Sequence, residues 1–133
     1  MKSNRELDIV VYGATGFTGR LVAEYLNNQY GVNGEVVWAM AGRSLSKLEQ
    51  VRDEMEISND VPLVVADSSD IDSINAMVER TAVVCTTVGP YQLYGNELVA
   101  ACAAAGTDYV DLCGEPGWMH KMIGAHSAAA EAS

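Results

Sequence analysis

Residues 8–19 read Asp8-Ile9-Val10-Val11-Tyr12-Gly13-Ala14-Thr15-Gly16-Phe17-Thr18-Gly19. The first five form an apolar, β-rich run that stops at Gly13, as a buried strand does. From Thr18 to about Asn28 the spacing turns helical, and Leu21, Val22, Tyr25 and Leu26 are predicted on one apolar face. Between strand and helix lie three glycines spaced Gly-x-x-Gly-x-x-Gly. Glycine allows a sharp strand-to-helix turn, close approach of backbone to a ligand, and tight helix–strand packing. The free N–H groups of the helix start and the positive end of its dipole then face an anion. Gly13, Ala14, Thr15, Gly16, Phe17, Thr18 and Gly19 are therefore the candidate cradle for a pyrophosphate. The spacing is a variant of the Gly-x-Gly-x-x-Gly dinucleotide fingerprint, and its place at the first strand–helix junction carries the reading.

Outward from this junction the same alternation repeats. Strands are predicted over 36–41, 61–66, 82–87 and 107–112. The helix after the second strand has Leu45, Leu48, Val51 and Met55 at helical spacing, with Ser46 and Glu49 placed for a capping box. Asp67 to Asp70 offers caps for a helix bearing Ile71, Ile74 and Val78. A helix from about Asn96 to Ala105 closes at Gly106, and Pro116 opens a last one. Strand–helix repetition of this kind predicts right-handed parallel crossovers: an α/β, Rossmann-type doubly wound parallel sheet in three αβα layers, as a single domain. Ligands of such sheets bind beyond the carboxyl ends of the strands, where strand order reverses.

The turns at those ends supply the remaining candidates. No acid lies between Val36 and Lys47, where an NAD site places a carboxylate for the ribose hydroxyl. Arg43, Ser44 and Lys47 instead offer a guanidinium, a hydroxyl and an ammonium to a 2′-phosphate, which predicts NADP over NAD. Asp67, with Ser68 beside it, is placed either to accept from an adenine amino group or to cap a turn. Val88, Gly89, Pro90 and Tyr91 should run past the nicotinamide ribose, with Tyr91 either packed on the cofactor or exposed for a partner domain. Asp111 and Glu115 lie near the same edge; helix capping is favoured over acid–base chemistry for Glu115, directly before Pro116. No catalytic residue is assigned. His120 and His126 fall on different helical faces, so no metal site is expected.

Composition bounds the rest. The chain has 133 residues, 49% hydrophobic, enough for one core. Eighteen acids against eight bases give a net charge of −10, which argues against nucleic acid or an anionic membrane as partner. Apolar runs such as 61–66 and 81–88 are too short to span a bilayer, and the first six residues lack a secretory cleavage site. Three cysteines without a Cys-x-x-Cys pair fit a reducing, cytoplasmic setting and core positions.

The stretches Val11 to Gly19, Ala41-Gly42-Arg43-Ser44, Val88-Gly89-Pro90-Tyr91-x-x-Tyr94-Gly95 and Tyr109 to Pro116 together resemble the N-terminal NAD(P)-binding domain of saccharopine dehydrogenase-like oxidoreductases. Within that family the chain looks most similar to the branch that includes trans-acting enoyl reductases. The resemblance covers nearly the whole chain and implies hydride transfer between NADP(H) and a small-molecule substrate in a longer protein. It also implies a further strand and a second domain, carrying much of the substrate site and often a homodimer contact. Residues 1–133 are then expected to be the cofactor domain alone, truncated and inactive by itself. Two other readings share the glycine spacing: an extended short-chain reductase, and a non-enzymatic dinucleotide sensor or scaffold.

Overall fold

The computed structural model describes residues 5–32 and 34–133. Most of the segment behind the expectation of no leader, residues 1–4, lies outside these. Five strands, β1 (Leu7–Tyr12), β2 (Trp38–Gly42), β3 (Leu63–Val65), β4 (Thr81–Thr86) and β5 (Asp108–Val110), form one parallel sheet in the order β3-β2-β1-β4-β5. The helices are α1 (Phe17–Tyr30), α2 (Leu45–Glu54), α3 (Ile71–Arg80), the single turn α4 (Tyr91–Tyr94), α5 (Asn96–Ala105) and α6 (Pro116–Ala132). The order reverses beside β1, so the carboxyl ends of β1 and β4 flank the switch point.

Alternation along the strands feeds two cores. Val10, Tyr12, Ala39, Ala41 and Val84 point to the face covered by α3 and α5, where they meet Ile74, Met77, Val78, Leu98 and Cys102. Val11, Trp38 and Met40 point the other way, onto Ala23 and Leu26 of α1 and Leu48 and Val51 of α2. A strand residue and its successor thus serve opposite layers, the period-two signature of a sheet buried on both faces.

Several local expectations shift. The buried residues of α1 are Gly19, Ala23 and Leu26, while Leu21 and Tyr25 are 50% and 58% exposed. Periodicity alone predicted both inside. The roll of the helix is set instead by Gly19, which lies against the Gly13 carbonyl and leaves Leu21 and Tyr25 outside. In α2 the cap is Ser44, whose Oγ accepts from the Lys47 amide, and not Ser46; Leu45 is half exposed. In α3 the cap is Asp70, accepting from Ser73, and Ile71 faces solvent. Gly106 ends α5 in the left-handed region at φ 72°, and Pro116 occupies the first turn of α6, both as predicted.

At the opposite end of the sheet from the switch point, Arg5 stitches the layers together. Its Nη1 donates to the carbonyls of Val78 (2.7 Å) and Thr81 (3.0 Å) and to Thr107 Oγ1 (3.0 Å), and its Nη2 donates to the Ala105 carbonyl (2.7 Å). These groups lie at the end of α3, the start of β4 and the end of α5. One guanidinium therefore satisfies carbonyls that two helix termini leave open. Replacing Arg5 with Met should lower unfolding free energy by about 1.5–3 kcal/mol in chemical denaturation.

Candidate dinucleotide site at the switch point

The turn from β1 to α1 is built around two glycines that pack and one that is left open. Gly13 has φ 90°, and a Cβ there would come within 2.8 Å of both Thr87 Oγ1 and Val88 Cγ2. Gly19 tolerates no side chain at all: its Cβ would lie 1.9 Å from the Gly13 carbonyl oxygen. Gly16, in contrast, is exposed, extended at φ −78°, and would meet only that oxygen at an ordinary 3.5 Å. Protein packing demands the outer pair. The middle glycine leaves room for something else to approach the backbone.

Local hydrogen bonds fix this turn without using up the helix start. The Gly13 and Ala14 amides donate to the Ala41 carbonyl, and the Gly16 amide to Gly13. Arg20 Nε donates to the Thr15 carbonyl at 3.0 Å, which braces the turn from the first coil of α1. Arg20 was not singled out from the sequence; only its place directly after Gly19 marked it. The first turn of α1 has no side-chain cap and no acidic residue. Its leading amides and the positive dipole end are thus open toward solvent.

They open into a cleft of about 390 Å³. Gly13, Thr15, Gly16, Phe17 and Thr18 line it from the β1–α1 turn, Gly42 and Arg43 from the end of β2, and Ser68 from the end of β3. Thr87, Val88 and Gly89 line it after β4, and Tyr94 from α4. Tyr12 reaches it from β1; burial pushes its phenol above the ordinary value, with Ser68 pulling down, Asp67 up and Arg43 down. A larger cavity of about 500 Å³ lies elsewhere, between α5, α6 and β5. Its walls are mainly apolar and no Lys or Arg lines it, so the chemistry points to the smaller cleft, where Arg43 stands beside the α1 start.

These features are what a dinucleotide domain needs, and sequence relationship agrees. The model of the saccharopine dehydrogenase NADP-binding domain family matches residues 9–133. The chain belongs to that family. A putative trans-acting enoyl reductase of Mycobacterium tuberculosis (strain ATCC 25618 / H37Rv) is 52% identical over 120 residues, 90% of this chain and 28% of that protein. The trans-acting enoyl reductase of Mycobacterium leprae (strain TN) is 48% identical over 130 residues, 97% of this chain and 30% of that protein. The chain therefore spans under a third of these relatives. The fold is also that of saccharopine dehydrogenase (L-Glu forming) from Saccharomyces cerevisiae, with TM-score 0.64, 16% identity, and coverage of 86% of this chain and 23% of that one. AtPrR2 with NADP+ and (+)pinoresinol superposes with TM-score 0.63 at 18% identity, over 93% of this chain and 48% of that one.

NADP is the cofactor of this domain family, and the residues present fit it. A cradle that a Cβ at Gly16 would narrow, an uncapped helix start and an exposed guanidinium at Arg43 all face one cleft. The other predicted positions distribute unevenly. Ala14 is wholly buried outside the cleft lining, with its amide spent on the Ala41 carbonyl. Ser44 is engaged as the α2 cap, and Lys47, one turn on, is exposed outside the cleft lining. Asp67 closes a turn: its Oδ1 accepts from the Ser69 amide (3.0 Å) and hydroxyl (2.9 Å), and these bonds hold its carboxyl below the usual value. Pro90 follows Gly89 through a cis peptide bond and is exposed outside the cleft lining.

Tyr91 is the correction. It is only 5% exposed, stacks on Trp118 with ring centroids 5.6 Å apart, and points its hydroxyl at the Thr86 carbonyl. Both roles expected for it, on the cofactor or on the surface, require a ring in solvent. Glu115 caps a helix as expected, but not its own. Its two carboxylate oxygens accept from the Tyr91 amide (2.7 Å) and the Gln92 amide (3.2 Å), capping α4. Asp111 accepts from the Tyr109 hydroxyl (2.6 Å) and the Cys113 amide (3.0 Å), so it shapes the loop after β5. Tyr12, Gly42, Thr87 and Tyr94 line the cleft without having been assigned to the cofactor, though Tyr12, Gly42 and Tyr94 stand in the motifs that carry the family resemblance.

The division of labour among the glycines can be measured. Gly16→Ala should cost less than about 1 kcal/mol of stability yet weaken NADP binding about tenfold or more. Gly19→Ala should cost about 1–3 kcal/mol or more, because α1 must move off Gly13. Thermal melts paired with calorimetric titration of NADP separate the two; similar stability losses in both variants would contradict the assignment.

Proposed function

We propose that this chain is the cofactor-binding part of an NADP-dependent reductase, with the diphosphate on the first turn of α1 and the 2′-phosphate at Arg43. The observation that carries the reading is the uncapped start of α1, opening beside Gly16 into a cleft that also holds Arg43. Bound NADPH supplies a hydride. The chain's own residues do the rest by position. The amides of Phe17 and Thr18 donate to phosphate oxygens, and the rigid Gly13–Gly19 contact keeps them aimed without reorganisation. Arg43 offers parallel N–H donors to a phosphate, a geometry that Lys cannot match. Ser44 and Lys47 support that site as the α2 cap and as a nearby positive charge. Ser68 borders the adenosine half, with Asp67 fixing its turn, and the 88–90 loop borders the nicotinamide half.

The names of the relatives, enoyl reductases, favour a carbon–carbon double bond conjugated to a carbonyl as the group reduced. Substrate binding and the proton donor then belong to the part of such proteins beyond this domain, as does any dimer contact. Three free cysteines, of which Cys102 is buried with its thiol pushed up to about 12 by that burial, suit a reducing cytoplasm. Among the described residues no helix is long and apolar enough to cross a membrane, and no cluster of His, Cys, Asp and Glu is arranged to hold a metal.

Arg43→Ala tests cofactor choice. Calorimetry should find a loss of about 1.5–3 kcal/mol for NADP and little change for NAD, the usual size for hydrogen bonds to a charged group. Equal losses for the two cofactors contradict the placement of the 2′-phosphate.

A further inference from the structure

Tyr91, expected either on the cofactor or exposed for a partner domain, is buried against Trp118 and serves neither. Three residues later the same short turn presents another aromatic ring. Tyr94 is 42% exposed and lines the cleft. Its position is fixed from both ends of the turn. Glu115 holds the amides of Tyr91 and Gln92, and the Gly95 amide donates to the Tyr91 carbonyl at 2.7 Å. Gly95 itself is seated on Trp118, where a Cβ would come within 2.7 Å of the indole. Trp118 is in turn anchored by a 2.8 Å bond from its Nε1 to Asn96 Oδ1. Tyr94 is therefore an exposed aromatic on a braced turn, not a ring on a loose loop.

Phe17 is its counterpart. It is 85% exposed, more than any other large apolar side chain among the described residues, and it lines the same cleft from the start of α1. Phe17 is nearly bare and Tyr94 keeps 42% of its surface open, so both rings leave free aromatic surface beside a polar phosphate cradle. They suit a ligand that presents a flat ring at that place. The order of subsites says which ring. Arg43 at the end of β2 marks the adenosine side and the α1 start marks the diphosphate, so the β4 side, where Tyr94 stands, receives the nicotinamide.

We infer that Tyr94 is the residue that covers the nicotinamide ring of bound NADP, with Phe17 as a second wall of that subsite. This rests on the proposed orientation of the cofactor, and the test separates the two claims. The 133-residue protein is titrated by calorimetry with NADP+ and with 2′-phospho-ADP-ribose, which has the same phosphates and adenosine but no nicotinamide. Tyr94→Ala should weaken NADP+ binding about fivefold to fiftyfold, the range for loss of one ring stack, and change 2′-phospho-ADP-ribose by less than about twofold. Tyr94→Phe should retain wild-type affinity for both. Phe17→Ala, at a position too exposed to support the fold, should show the same ligand-selective loss even if Tyr94→Ala proves unstable. Equal losses for both ligands, or no loss of NADP+ affinity in either alanine variant, overturns the inference and leaves NADP binding in place. Failure of the folded wild type to bind either ligand overturns the proposed function itself.

Discussion

The contact between Gly19 and the Gly13 carbonyl is the constraint from which the rest of the site follows. A single methyl at Gly19 would stand 1.9 Å from that oxygen, so α1 lies as close to the β1 turn as backbone permits. That closeness sets the roll of the helix, sends Ala23 and Leu26 into the core, and leaves Leu21 and Tyr25 in solvent. It also brings the leading amides of α1 to the switch point of the sheet. Gly13, held at φ 90° between Thr87 and Val88, links the same contact to β4. The packing of one helix on one strand thereby determines where an anion can sit.

Electrostatics make that place exceptional within an acidic molecule. A net charge of −10 repels phosphates at a distance, and long-range attraction contributes nothing to their capture. Short-range donors have to suffice. The starts of α2, α3 and α4 are each occupied, by Ser44, Asp70 and Glu115. Those of α5 and α6 have no side-chain cap, but α5 carries Glu97 in its first turn and α6 begins directly after the Glu115 carboxylate. The start of α1 has neither cap nor acid, and Arg43 shares its cleft. Screening by salt has little hold on hydrogen bonds made at contact, so such a site works in spite of the surrounding field.

Much of this was legible in the amino acids, and the misses share a cause. Strand and helix order, the switch point, the glycine turn, the family and the place of Arg43 on the cleft all rest on local pattern or on residues adjacent in the chain. What failed was rotation and long-range partnership. Periodicity placed Leu21, Tyr25, Leu45 and Ile71 inward: in α1 it ignores the backbone contact that rolls the helix, and Leu45 and Ile71 are the first residues of α2 and α3, at the helix ends. Tyr91 and Tyr94 are equivalent as letters in a loop. Only Trp118 and Glu115, more than twenty residues away, decide which of them is buried. Arg5 likewise reads as one dispersed cation until β4, α3 and α5 converge on it.

The account stands on where the diphosphate rests, and a crystal structure of the NADP complex reads that directly. Its phosphate oxygens should lie within about 3.2 Å of the backbone nitrogens of Phe17 and Thr18, with Gly16 beneath them and Arg43 beside the 2′-phosphate. A diphosphate bound in the groove between α5 and α6, or held by side chains with the amides of α1 facing empty solvent, would contradict it.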